Sequence, residues 1–287
     1  MKEVVAKGIP KPINKYGYCN ICAKRVELTN DHVPPKGCVG VNPQQASRLA
    51  EYLKAGGLSK RNAKIMQNGL KFKSICSYCN NTLLGTYYDP ALKEFAKKVS
   101  NIVKLKNKKF YLPSKISITI KPLPVLKAVV GHLLAARVRV DMSKPLPDAP
   151  AIKSMQDFVY NVNKLPDEYL KFYCWLYPSE IQVIILGAGL ITDLFSSQRN
   201  FVVGDVVKFF PVGFLVTFDS QSALPNQLNF SQISIPNGLK LEDELELALN
   251  TTDIPPIDWP EYQEGYSVML LNDEFAYFAK KYKKRKF

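Results

Sequence analysis

Apolar and polar residues alternate on two different scales along this chain. Over residues 16–99 the apolar positions come in short bursts, broken by cysteine pairs, prolines and glycines. Tyr16-Gly17-Tyr18 and the alternating Arg25-Val26-Glu27-Leu28-Thr29 predict a hairpin, with a tight turn at the first cysteine pair. Asp31-His32-Val33-Pro34-Pro35 predicts extended chain, because proline disfavours helix in the residue before it. Asn42-Pro43 predicts a helix, with Asn42 as cap and Pro43 in the first position, running to about Ala55 where Gly56-Gly57 stops it. Asn80 to Lys98 carries Leu92, Phe95, Ala96 and Val99 at helical spacing, with an interruption near Asp89-Pro90.

Further on the apolar runs lengthen. Leu123 to Val138 predicts a buried helix, and residues 152–163 predict another. Strand-like runs follow at Lys171–Tyr177, Gln182–Leu186, Phe201–Phe209, Phe214–Phe218 and Tyr266–Leu271, separated by Pro, Asn and Gly as in a mostly antiparallel sheet. Gly187-Ala188-Gly189 predicts a tight turn after a strand. Residues 1–15, with Pro10 and Pro12, predict an arm, and Lys280 to Lys286 a frayed basic tail. The expected organisation is α+β: a cysteine-bearing domain over 1–100, a linker over 101–122 that includes the charged stretch Lys104 to Lys109, and a mixed, mostly antiparallel sheet domain with packed helices over 123–287.

Composition narrows the class. The chain has 287 residues, 46% hydrophobic and 22% charged, which is globular rather than disordered. The longest apolar run, Val183 to Ile191, is far short of the roughly 20 residues of a membrane span, so no membrane partner is expected. No charged-then-apolar leader opens the sequence, which predicts a cytoplasmic protein, and in a reducing compartment the cysteines favour metal over disulfides. Charge is uneven: Met1 to Lys121 holds 23 Lys/Arg against 6 Asp/Glu, whereas the rest holds 16 against 19. The basic field therefore coincides with the cysteines and predicts a phosphate-bearing partner, the alternative being a solvated basic surface.

Cys19/Cys22 and Cys76/Cys79 form two Cys-x-x-Cys pairs that suit a four-sulfur zinc site, although 53 residues between them exceed a compact zinc ribbon. Cys38 and Cys174 lack partners at ligand spacing and are expected to be buried hydrophobes. Between the pairs lies Asp31-His32, and Asn80 follows the last cysteine. Phosphodiester cleavage needs a base, for which His32 is suited, and a divalent cation, for which Asp31 and Asn80 supply hard oxygens. Neighbours on a strand face opposite ways, so Asp31 and His32 need a twist or a third element over them, which the helix near Asn80 would supply. Asn81 is an alternative to Asn80. Asp89 reads as a further metal-site carboxylate or as a helix-cap or turn residue, the latter being commoner before proline. His132, among apolar neighbours at helical spacing, is expected to be a core or interface histidine.

The order C-x-x-C, D-H-V-P-P, C-x-x-C-N over about residues 16–99 resembles the HNH (ββα-metal) endonucleases, in the zinc-stapled branch that includes endonuclease VII. The resemblance implies an N-terminal ββα-metal nuclease fold, Zn²⁺ on Cys19, Cys22, Cys76 and Cys79, His32 as general base, and Asp31 and Asn80 as ligands of a catalytic Mg²⁺ or Mn²⁺. Many members carry an Asn several residues before the second knuckle; here Asn68 is one position off, with Gly69 in its place. Residues 40–68 are longer than a minimal connection, and their predicted helix offers Arg48, Lys54, Lys60, Arg61 and Lys64 either to phosphate or to solvent. DNA is expected as substrate ahead of RNA, since no reader of the 2′-hydroxyl is identifiable. The competing reading is a zinc-stapled nucleic-acid-binding protein without catalysis. Residues 123–287 are expected to sense a small-molecule or protein activator, as in an antiphage defence effector, or to bind a partner, or to dimerise; the apolar 123–138 helix permits a homodimer without demanding it.

Overall fold

The computed structural model describes residues 14–40, 42–54, 63–191, 201–218, 229–261, 268–270 and 273–282. The predicted arm up to residue 13, Gly56-Gly57, Lys60, Arg61, most of Tyr266–Leu271 outside 268–270, and Lys283 to Lys286 lie outside them. The fold is mixed α+β, and its strand pairings are antiparallel. Among the described residues no helix is long and apolar enough to cross a membrane.

The chain begins with strand β1 (Tyr16–Tyr18) and strand β2 (Arg25–His32), then β3 (Gln44–Arg48), a short helix α1 (Leu49–Lys54), β4 (Lys64–Met66) and β5 (Lys71–Cys76). A π-helix over Tyr78–Tyr88 runs directly into α2 (Asp89–Asn107), so the break expected at Asp89-Pro90 marks a change of helix type. The buried stripe of α2 is Leu92, Phe95, Ala96 and Val99, continued by Ile102 and Val103. It carries the helix beyond Lys98, up to the charged Lys104–Lys109 stretch. Strand β6 (Lys115–Ile120) leads into α3 (Pro122–Ala135), and α4 spans Pro150–Tyr160. Strands β7 (Lys171–Leu176), β8 (Gln182–Ile191), β9 (Phe201–Phe209) and β10 (Val212–Thr217) match the runs read from sequence. The last strands are β11 (Ser231–Gln232), β12 (Leu245–Asn250), β13 (Val268–Leu270) and β14 (Ala276–Lys281).

These strands form three sheets. A small one has the order β1-β2-β5; a pair joins β12 to β6; the large one runs β11-β7-β10-β9-β8-β14-β3-β4, with β13 also on β8. Two expectations are corrected here. The helix expected from Asn42-Pro43 is strand over Gln44–Arg48, and only Leu49–Lys54 is helical. Its backbone pairs with β14 on one side and β4 on the other, and that tertiary pairing overrides the local Asn-Pro start signal. Lys280 and Lys281, expected in a frayed tail, are strand residues of β14 facing Gln45 and Gln44. A third correction concerns Gly187-Ala188-Gly189. It is a bulge within β8, where the register against β9 shifts between Ile185 and Ala188, Gly187 has φ +75° and its N–H donates to buried Asp205 at 2.8 Å.

The core lies where α2 and α3 pack on the large sheet. Every residue of α3 is buried, including Lys127, Gly131 and His132. Gly131 is needed for close approach, because a Cβ there would stand 2.4 Å from Leu84 of the π-helix. Arg137, just past α3, pairs with Asp205 of β9 and ties the helix to the sheet. The other face of the sheet has its own cluster, with Leu49, Trp175, Val206, Leu215, Trp259 and Phe278.

Among the described residues Lys127 is met by backbone carbonyls and not by a carboxylate. Its ammonium donates to the Phe158, Asn161 and Lys164 carbonyls at the end of α4, with the Phe158 ring 4.3 Å away. Burial pushes its pKa down from 10.5 to about 7. Between those values the unfolded chain binds the proton more tightly than the folded one, so this residue's contribution to stability rises with pH from about 7 to 10.5. Urea midpoints of the wild type and Lys127→Met, measured from pH 7 to pH 10, should therefore diverge in favour of the wild type; a constant difference would contradict the lowered Lys127 pKa.

Candidate functional site

Sequence places one cysteine pair in the turn between β1 and β2 and the other where β5 enters the π-helix, and pairing of β2 with β5 brings them together. The four Sγ atoms of Cys19, Cys22, Cys76 and Cys79 all lie within 4.8 Å of one another, with Cys22 and Cys76 at 3.9 Å. A tetrahedral zinc with Zn–S of about 2.3 Å requires sulfurs about 3.8 Å apart, so this cluster could hold such an ion. Backbone N–H groups support it: Cys76 N donates to Cys19 Sγ at 3.3 Å and Cys79 N to Cys76 Sγ at 3.5 Å. Hydrogen bonding among the four thiols lowers Cys22 to about 7 and holds Cys76 below the usual thiol range, while it pushes Cys19 and Cys79 up, so without a metal the cluster shares its protons. Cys38 and Cys174 stand apart from the cluster, and burial pushes both thiols up.

The knuckle also holds α3. Asn20 Nδ2 donates to the Leu134 and Arg137 carbonyls at 3.0 and 2.9 Å, and Ser74 Oγ to the Ala135 carbonyl at 2.5 Å. A helix ends in carbonyls without intrahelical donors, and here residues beside the cysteines supply them.

Asn80 sits one residue past Cys79 on the π-helix. Its Nδ2 donates to Thr29 Oγ1 and to the Asn30 carbonyl, both at 3.0 Å. The β2–β5 register shifts between Thr29 and Asn30, so Asn80 braces a bulge immediately before Asp31. The bulge precedes both Asp31 and His32, which stay in regular register with Phe72 and Lys71 and so keep the opposite facing of strand neighbours. Both N–H groups of the Asn80 amide are used on β2, so any further contact of this amide is made by its oxygen as an acceptor. Asn81 instead donates to Ser77 Oγ at 2.9 Å within its own helix, so Asn80 is the residue directed at the Asp31 strand.

His32 ends β2 opposite Lys71, and its Nε2 lies 3.1 Å from the Asn68 carbonyl oxygen. A carbonyl only accepts, so Nε2 carries the proton and Nδ1 is left as the basic nitrogen. Gly69, at φ +75°, turns the chain so that this carbonyl faces the ring. The offset of Asn68 is thus resolved by its backbone rather than its side chain. Partial burial, and then the Lys71 charge, hold the His32 pKa below 6.5, which favours the neutral base.

Asp31 is buried, and the element closing over it is α3 rather than the Asn80 helix. His132 Nδ1 contacts Asp31 Oδ2 at 2.8 Å, while its Nε2 contacts Asp89 Oδ1 at 2.9 Å. Burial alone would lower the His132 pKa, but the two carboxylates outweigh it and raise the value to about 10, so the ring is an imidazolium between two anions. The buried histidine expected from sequence is therefore present, with a role the sequence reading passed over. A buried imidazole needs partners for both nitrogens, and Asp31 and Asp89 were the acidic residues already singled out nearby. Lys71 and Lys36, whose charges act on His32, were also passed over.

The five basic residues read as a phosphate-binding helix are dispersed. Arg48 is on β3 opposite Tyr277, Lys54 ends α1, Lys64 is exposed on β4, and Lys60 and Arg61 lie outside the described residues. No protein-family model, curated protein or solved structure matches the chain.

Two outcomes check this site. The full chain purified without chelator should carry one zinc per chain by mass spectrometry of metals, and Cys76→Ala should lose both the metal and the folded β1-β2-β5 sheet; full zinc in that variant would exclude the four-sulfur site. His132→Leu leaves two carboxylates without their counter-charge and should cost about 3 kcal/mol in urea unfolding.

Proposed function

We propose that the chain is a metal-dependent HNH-type endonuclease that hydrolyses DNA phosphodiester bonds, with residues 16–99 as a zinc-stapled ββα-metal unit. The observation that carries the reading is the His32 ring, which is oriented by the Asn68 carbonyl with Nδ1 free, at the end of a strand that Asn80 braces. Such an arrangement gives an oriented base one residue along β2 from Asp31, on a strand that Asn80 also grips. It does more than nucleic-acid binding requires, and for that reason the enzyme is favoured over an inactive binding protein.

In this reading Zn²⁺ on the four cysteines sets the hairpin against the π-helix. Asp31 and the Asn80 carbonyl oxygen are the ligands for Mg²⁺ or Mn²⁺, which when bound would offset charge on the phosphate. His132 and Asp89 hold the Asp31 carboxylate in place, as partners behind a metal ligand do. Lys71 and Lys36 add cationic charge beside His32 and draw the phosphate backbone towards it. His32 Nδ1 takes a proton from water as the water oxygen bonds to phosphorus, the P–O ester bond opposite that oxygen breaks, and the leaving sugar oxygen takes a proton from solvent to depart as an alcohol. DNA is placed ahead of RNA because no group beside His32 is identified that would read a 2′-hydroxyl.

Supercoiled plasmid incubated with Mg²⁺, Mn²⁺ or EDTA is the test. Wild type should nick and linearise it with either metal and not in EDTA, and His32→Ala should cut at least about 100-fold more slowly. Plasmid binding without cutting by the wild type would favour the binding protein, and equal cutting by His32→Ala would remove the proposed mechanism.

A further inference from the structure

Helix α2 carries a charge pattern that the proposed nuclease site does not use. Its buried stripe faces the core, while Lys93, Lys97, Asn101 and Lys104 are exposed, with Lys108 exposed just past its end. The intervals between them are four, four, three and four residues, so their side chains fall in one narrow strip of the helix surface. At about 1.5 Å per residue the row is about 22 Å long. The two acids of α2 are engaged off the row: Asp89 with His132 at 2.9 Å, and Glu94 with Lys98 at 2.8 Å, Lys97 acting on Glu94 at longer range. The four ammoniums of the row have no ion pair among the described residues. Like charges four residues apart on a helix repel, so Lys93 with Lys97 and Lys104 with Lys108 destabilise α2 unless an anion lies across them.

Both ends of the row indicate which anion. At its start the Lys93 stem crosses Gly37, where a Cβ would stand 3.2 Å from Lys93 Cδ. Gly37 follows Lys36, whose charge acts on His32, so the row begins at the loop leaving the proposed base. At its far end Lys109 turns the chain at φ +60°, and the Phe110 N–H donates back to the Leu105 carbonyl at 3.2 Å. The turn leaves Phe110 60% and Tyr111 100% exposed. A helix end of this kind accounts for an apolar Phe110 near Leu105, whereas a wholly exposed Tyr111 contributes nothing to packing. Cations in line, followed by exposed rings, are what hold an unpaired nucleic-acid strand, with phosphates on the ammoniums and bases on the rings. A duplex keeps its bases stacked inside and would leave the rings unused. An acidic peptide or an anionic lipid surface would match the lysines but not the continuity with His32.

We propose that the α2 row is a track for a single-stranded DNA segment leaving the His32 site, with four phosphates along the lysines and an unpaired base on Tyr111. The proposal deepens the nuclease reading, on which the His32 end of the track rests, by naming a substrate that has an unpaired strand. The track itself needs no catalysis.

Fluorescence anisotropy on the full zinc-loaded chain tests it, in a His32→Ala background without added Mg²⁺ so that strands stay intact. The probes are labelled oligo-dT and a hairpin duplex with the same number of phosphates. For single strands each phosphate contact contributes about 0.7 to the slope of log affinity against log salt. Lys93→Gln, Lys97→Gln, Lys104→Gln and Lys108→Gln combined should therefore flatten the oligo-dT slope by about 3, so that between about 50 and 200 mM salt the unreplaced chain loses about 50-fold more affinity than the variant. Its melting temperature should hold or rise, since like-charge pairs are removed. Tyr111→Ala, at a fully exposed position, should weaken oligo-dT binding about tenfold with the slope unchanged and leave the hairpin unaffected. An unchanged slope in the lysine variant would overturn the track, as would a hairpin bound as tightly as oligo-dT with both indifferent to Tyr111→Ala. Plasmid cutting by the wild type, measured alongside, separates the two readings. Retained cutting with an unchanged slope strikes the track alone, and absent cutting with the expected slope and Tyr111 effects strikes only the nuclease.

Discussion

A helix buried on every side is the constraint around which this protein is organised. Helix α3 has no solvent-facing stripe, so each polar group it carries must find a partner inside the molecule. Its terminal carbonyls are met by Asn20 and Ser74, its lysine by the end of α4, and its histidine by Asp31 and Asp89. Each of those partners belongs to a different element. The helix therefore fixes the cysteine knuckle, the bulged strand and the start of α2 relative to one another.

This has a direct bearing on the candidate site. Asp31 is not held by its own small sheet alone; an imidazolium from α3 sets the direction of its carboxylate. The cysteine cluster in turn positions Asn20, which caps the helix carrying that imidazolium. Metal binding at the four sulfurs and the orientation of Asp31 are thus linked through one rigid element, and loss of either end would be felt at the other. The basic charge on the same region adds attraction at longer range, which salt screens, whereas these buried bonds are screened much less.

Much of this was legible in the sequence wherever the signal was local. Cys-x-x-Cys spacing located the cluster, the Leu92 to Val99 stripe located α2, and the apolar runs located β7, β9 and β10 within a residue or two, while β8 runs five residues past the Leu186 at which it was expected to end. What failed to show was long-range. Asn42-Pro43 is a sound helix start by local rules, yet the segment after it is taken into a sheet by a partner strand near the other end of the chain. Strands β6 and β12 also pair over a long separation, with Leu245 facing Ile120. His132 reads as one more core residue on an apolar helix, because nothing near it in sequence reveals that two carboxylates will meet its ring. Gln44 likewise looks like an ordinary surface residue until β14 covers it.

The pairing of β3 with β14 also has a consequence for how the molecule comes into being. Ala46 faces Ala279, so nearly the whole chain lies between two residues that must meet. Contacts of such wide sequence separation carry a large loop-closure cost and form late. A chain emerging from its N-terminus completes the cysteine hairpin early but must wait for β14 before the strand following the His32 turn gains its second neighbour. The large sheet is closed only once the residues of β14 have been made.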